Sequence, residues 1–162
     1  MGRNKYPEET VAKILDAALE LFCAQGYEGT SIQDIVDRLD GMTKGAVYHH
    51  FKSKEEIFNA AFDRAMAPIV ERRRATLGAG NMTGAQKLKR LYAPESVVPQ
   101  IELWARMHPA ADPVKSSRLL AMQYQGSFDE SADGCLLPVI EEGIADGSIA
   151  CKCPREAAEA VS

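Results

Sequence analysis

Between Val11 and Phe22 the apolar residues recur at intervals of three and four: Val11, Ile14, Leu15, Ala18 and Phe22. That is the period of an α-helix with one buried face. The period returns in Ile32, Ile35, Val36 and Leu39, and again in Ile57, Phe58, Ala61, Ala65 and Met66. The later stretches AQKLKRLY, ESVVPQIELWARM, VKSSRLLAMQYQGSF and LLPVIEEGIADG also read as helix, punctuated by proline and glycine. Few runs alternate with the period of two that a half-buried strand needs. The expectation is an all-α fold without internal repeats.

The breaks between these helices carry their own chemistry. Gly26 is expected to end the first helix in a left-handed conformation. Thr30 with Gln33 has the spacing of a capping box for a short second helix. Asp40-Gly41 signals a tight turn, and Thr43 is a good N-cap for a third helix running through about His49. Ser53 with Glu56 makes another capping box, opening a long helix in which Pro68 is a candidate kink. The Gly-rich GAGNMTG at 78–84 marks the expected boundary between the N-terminal helices and the rest.

The 162 residues suffice for one ordinary domain or two small ones sharing a core. The chain carries 19 Lys and Arg against 23 Asp and Glu. This net charge of −4 argues against non-specific coating of nucleic acid, but phosphate contacts need only a local patch. No run is apolar and long enough to span a bilayer, and MGRNKYPEETVAK lacks the apolar core of a secretory signal. A cytoplasmic protein without membrane contact is expected. Cys23 and Cys135 read as small core residues, and Cys151 and Cys153 stand too close in sequence for ordinary zinc spacing.

One segment departs from the acidic balance. MTKGAVYHHFKSK, residues 42–54, contains three lysines and no acid. Short helix, glycine turn, short helix over residues 31–50 has the dimensions of a helix-turn-helix, whose second helix enters the major groove of DNA. Acids there would repel phosphate. Lys44 falls in the first turn of the recognition helix, and Gly45 and Ala46 leave room for close approach to the groove. Tyr48 and His49 offer a hydroxyl and a planar ring, and Lys52 and Lys54 suit flanking phosphates. Val47 and Phe51 read as packing residues. Adjacent His49 and His50 point about 100° apart on a helix and do not face one ion together, so no metal site is expected.

The run ILDAALELFCAQGYEGTSIQDIVDRL…TKGAVYHHFKSKEEIF resembles the DNA-binding domain of TetR-like transcriptional regulators. The likeness covers about residues 10–62: an apolar first helix ending in Phe, Gly-Tyr, a Thr/Ser cap with Asp-Ile, Lys-Gly, a Tyr, an aromatic-rich HF, and Ser-Lys-Glu. It implies a three-helix DNA-binding domain over residues 1–53 and a helical effector-binding and dimerising domain over 54–162. Chains of that family usually run longer, so the C-terminal helices are expected to be an incomplete set. The DNA-contacting residues implied are Thr30, Ser31, Thr43, Lys44, Gly45, Ala46, Tyr48, His49, Lys52 and Lys54.

In the second half, Trp104, Met107, His108, Met122 and Tyr124 are candidates for lining an effector pocket, because aromatics and methionines suit an adaptable apolar cavity. An ordinary helical core uses the same residue types. Leu136, Leu137, Ile140 and Ile144 are candidates for core or dimer packing, and the arginines at 72–74 for a solvated helix face. The expected function is a ligand-responsive repressor: a homodimer on double-stranded operator DNA, released by an apolar or amphipathic small molecule, without cofactor or catalytic residues. The alternative is a helical protein-interaction adaptor with a vestigial DNA motif. Seven basic against eight acidic residues over positions 1–54 lend it some weight.

Overall fold

The structure, a computed structural model, describes residues 7–107 and 132–161. Among these residues every regular element is a helix. They divide into two compact units, with breaks between Ala67 and Pro68 and between Gln100 and Ile101.

The first unit opens with α1 (Pro7–Gly29), interrupted at Gly26, whose φ of 77° is the positive value expected there. Next come α2 (Ile32–Asp37), α3 (Lys44–His50) and the first part of α4 (Lys54–Leu77). Ile14, Leu15, Ala18 and Phe22 are buried, which is the stripe that the helical period marks out on α1. They meet Ile35 and Val36 of α2, Val47 of α3, and Ile57, Phe58 and Ala61 of α4 in the unit's core. Three aromatic rings fill its centre. Phe58 lies edge-on to Phe22 at 5.0 Å and to Tyr27 at 5.2 Å, an arrangement that suits the quadrupoles of the rings. The ion pairs Arg38–Glu20 (2.9 Å) and Arg64–Asp16 (3.2 Å) tie α2 and α4 to α1 at exposed positions, where each contributes little.

The cap of α2 lies one residue later than the sequence spacing suggests. Ser31, not Thr30, is the N-cap: its hydroxyl accepts from the Asp34 backbone N–H, and the Asp34 carboxylate accepts from the Ser31 N–H. Thr30 is 2% exposed and donates its hydroxyl to the Gly26 carbonyl at 2.8 Å, sealing the break in α1. The Ser53 cap of α4 is half of a capping box. Ser53 accepts from the Glu56 N–H, but the Glu56 carboxylate accepts from the Lys52 N–H.

The second unit contains the remainder of α4, α5 (Gly84–Leu91), the N-terminal half of α6 (Pro94–Met107), a π-helical turn (Ala132–Leu136), α7 (Leu137–Ala145) and α8 (Pro154–Val161). The expected boundary at 78–84 is a loop inside this unit, because Thr83 caps α5 and α5 docks on α7. That crossing is backbone against backbone: a Cβ on Gly84 would lie 2.3 Å from the Gly143 nitrogen and 2.6 Å from the Val139 carbonyl oxygen. The loop after α7 completes the joint. Asp146 accepts from the Gly84 N–H and Ser148 from the Ala85 N–H, satisfying two orphan donors of α5.

A small core of Leu136, Ile140 and Ala158 lies beneath, with Leu88, Leu137, Ile149 and Cys151 packed on it. Ile140 therefore belongs to the interior of the unit and is unavailable as a dimer contact. Ile144, one helical turn on, is 38% exposed. Cys135 is buried as expected, while Cys23 is only partly covered.

Candidate nucleic-acid interface

The recognition helix owes its exposure to how little of it is anchored. Thr43 caps α3 by accepting from the Ala46 N–H at 3.2 Å, and Gly41 turns the chain into it with a φ of 72°. Val47 is buried, as is Phe51 just beyond the C-terminus, and these two hold the helix down. Lys44, Gly45, Tyr48 and His49 are exposed. Residues four apart lie one above the other on a helix, so Lys44 with Tyr48 and Gly45 with His49 form two adjacent rows of one face. Tyr48 is 47% exposed. Ala46 and His50 are half-covered at the edges of this face, and the His49 and His50 rings meet edge-on at 5.3 Å.

Gly45 is informative for what it lacks. A Cβ there would find nothing nearer than the Thr43 hydroxyl at 3.9 Å, and its φ is not positive. Glycine within a helix costs about 0.5–1 kcal/mol relative to alanine. The packing within this chain gives no reason to incur that cost.

Around the face stand Ser31, Thr43 and Lys52, all exposed. Thr30 is different: buried, with its hydroxyl committed to Gly26, it leaves the set of contact residues. Lys54 is held in place. Its ammonium donates to the Tyr27 carbonyl at 2.8 Å and lies 4.1 Å from the centroid of the Tyr27 ring. An ammonium has three donors and this hydrogen bond uses one, so Lys54 is a positioned cation and not an exhausted one. Tyr27 is thus a supporting residue missing from the sequence-derived set; its only signal was the Gly-Tyr pair at the break in α1. Among the described residues no group of three His, Cys, Asp or Glu side chains is placed to hold a metal.

Of the residues proposed to line an effector pocket, Trp104 and Met107 lie on α6, but their side chains are outside the described part of the structure. His108, Met122 and Tyr124 lie outside the described residues altogether. No described helix is long and apolar enough to cross a membrane.

A capped helix, a glycine turn and a second helix presenting an acid-free face define a helix-turn-helix protein. Within that class, residues 14–61 match the family described as bacterial regulatory proteins, tetR family. Over 62 residues, 38% of this chain, it is 44% identical to the HTH-type transcriptional regulator SrpR of Pseudomonas putida. Over 64 residues, 40% of this chain, it is 41% identical to the HTH-type transcriptional regulator AcrR of Shigella flexneri. Each match covers 29% of the curated relative, so the chain's sequence likeness is confined to less than a third of those proteins. The fold likeness reaches further. A SmeT–triclosan complex superposes with a TM-score of 0.69 at 26% identity, covering 93% of this chain and 74% of that one.

Proposed function

We propose that this chain is a DNA-binding transcriptional regulator, a ligand-responsive repressor that acts as a homodimer in the cytoplasm. The observation that carries the reading is the exposed face of α3, with Lys44, Tyr48 and His49 held outward by Val47 and Phe51. Lys44 and His49 are the candidates for base edges, and the Tyr48 hydroxyl for a phosphate. Gly45 and Ala46 let the helix sit close in the groove, which accounts for a glycine that the protein's own packing does not require. Ser31, Thr43, Lys52 and Lys54 supply flanking donors to the phosphate backbone. The regulators SrpR and AcrR, similar over this same region, support the assignment.

One short recognition helix reads few bases. Specific binding then needs two, about 34–36 Å apart, and a pseudo-palindromic operator. The C-terminal helices, with Ile144 exposed on α7, are the proposed dimer surface. A small-molecule effector is supported by the fold shared with SmeT, a protein that forms a complex with triclosan. Such a ligand releases DNA only if it binds the non-DNA conformation more tightly.

The test is a binding series on operator DNA selected from a random pool. Lys44→Ala is expected to weaken specific binding by about 1–3 kcal/mol, and Tyr48→Ala to weaken specific and non-specific binding together. Lys52→Ala is expected to weaken all sequences alike and to reduce the salt dependence. Unchanged affinity in all three variants would reject α3 as the reading helix.

A further inference from the structure

We infer that the second unit carries a binding site for a small amphipathic organic anion, in a surface cleft of about 530 Å³ between the end of α4 and α5. The inference goes beyond the regulatory reading and stands whether or not the chain binds DNA. The volume falls within the range of small-molecule sites, about 300–1,000 Å³.

The cleft is lined by two guanidinium groups, Arg72 and Arg90, and by no carboxylate. In a chain of net charge −4 this is a local inversion of sign. Arg72 is oriented: one of its Nη groups donates to the Glu95 carbonyl at 2.8 Å, and the other donors of the fork remain. The neighbouring Glu71 carboxylate is taken up by Arg74 at 2.6 Å. On α5, Gln86 and Arg90 are four residues apart and so share a face. The Gln86 carbonyl accepts from the Thr83 N–H at 2.9 Å, which leaves its amide N–H donors for a ligand.

Polar donors converge on the cleft while Ala75, Ala79 and Met82 supply apolar surface. This combination fits one chemical class: a carboxylate, sulfonate or phosphate head, matched by the arginine forks, on an apolar body. Arg72 and Arg90 are both exposed, so an uncharged apolar molecule would leave them hydrated and gain nothing from either fork. An inorganic ion would leave the apolar wall unused.

The probe is anilinonaphthalene sulfonate, an anionic head on apolar rings, titrated into the full chain and followed by its fluorescence. Its uncharged twin, N-phenylnaphthylamine, is titrated alongside. Arg90→Gln is expected to weaken sulfonate binding by about tenfold and to leave the twin within about twofold, the loss typical of one charge-assisted contact. Ala75→Trp, which fills the cleft, is expected to weaken both dyes, with urea midpoints confirming that each variant folds. Sulfonate binding that survives both substitutions unchanged would place the dye elsewhere and overturn the inference. Equal affinity of the parent chain for the two dyes would overturn the anion assignment.

Discussion

The ammonium of Lys54 lies 4.1 Å from the centre of the Tyr27 ring and donates to the carbonyl of the same residue at 2.8 Å. A cation in the first turn of α4 faces the positive end of the helix dipole, an unfavourable position in isolation. Tyr27 offsets this twice, with the negative face of its ring and with a carbonyl. The Tyr27 ring in turn packs against Phe58 one turn further along α4 and against Phe22 of α1. The charge beside the recognition helix is therefore fixed to the aromatic centre of the first unit.

A double-mutant cycle on this pair measures the coupling. Lys54→Ala is expected to lower stability by about 1 kcal/mol in urea unfolding, in addition to any loss of DNA affinity. In a Tyr27→Leu background the same substitution should cost about 0.5–1 kcal/mol less, because the ring is already gone. A coupling energy of zero would mean that the ring contributes nothing and that the carbonyl alone holds Lys54.

The Gly84–Gly143 crossing makes a sharper case. Gly84→Ala places a methyl group against backbone atoms of α7 that have nowhere to move, and is expected to cost at least about 3 kcal/mol. Gly80→Ala is the control, since nothing lies within 4 Å of a Cβ there; it should stay within about 0.5 kcal/mol. Thermal unfolding of both variants decides the matter, and a tolerated Gly84→Ala would refute the close crossing.

Lys87 and Glu142 are expected to respond unequally. The Lys87 side chain is 5% exposed, and its ammonium is held by both Glu142 oxygens, at 2.8 and 2.7 Å, and by the Leu77 carbonyl at the end of α4. Glu142→Gln strands a buried cation and should cost about 3 kcal/mol. Lys87→Met keeps the packing and leaves a carboxylate that is 43% exposed and can recover water, so about 1 kcal/mol is expected. Equal losses in chemical denaturation would show that the buried charge carries no special penalty.

The acid side of the stability profile should depend on Asp146. The Ser148 side chain, then the backbone N–H groups of Gly84 and Ser148, hold its carboxyl below the ordinary aspartate value. Because the folded pKa is the lower one, ionised Asp146 favours the fold at every pH above the unfolded value of about 3.9. That contribution is lost as pH falls from there through the folded value. Asp146→Asn should therefore flatten the decline in stability between about pH 5 and pH 2. An unchanged slope would exclude this carboxylate from the acid transition.

The amino-acid sequence by itself determined the described helices, the left-handed Gly26, the tight turn at Gly41, the Thr43 cap and the acid-free face of α3; the expected helix VKSSRLLAMQYQGSF lies outside the described residues. These depend on interactions within about four residues, and such spacings are visible along the chain. The neighbouring cap at Ser31 was misplaced by one residue because Thr30, equally suited by type, is drawn into the interior by the Gly26 carbonyl. What only the tertiary structure decided is what distant segments do to each other. Lys87 in AQKLKRLY reads as one more solvated lysine until Glu142, 55 residues on, closes over it. Ile140 reads as a possible dimer contact until Leu136 and Ala158 enclose it. Arg72 and Arg90 belong to unremarkable basic helices until the loop at 78–83 brings both to one cleft. Burial and charge pairing are properties of three-dimensional neighbourhoods, and a helical period marks which face turns inward without saying what it will meet.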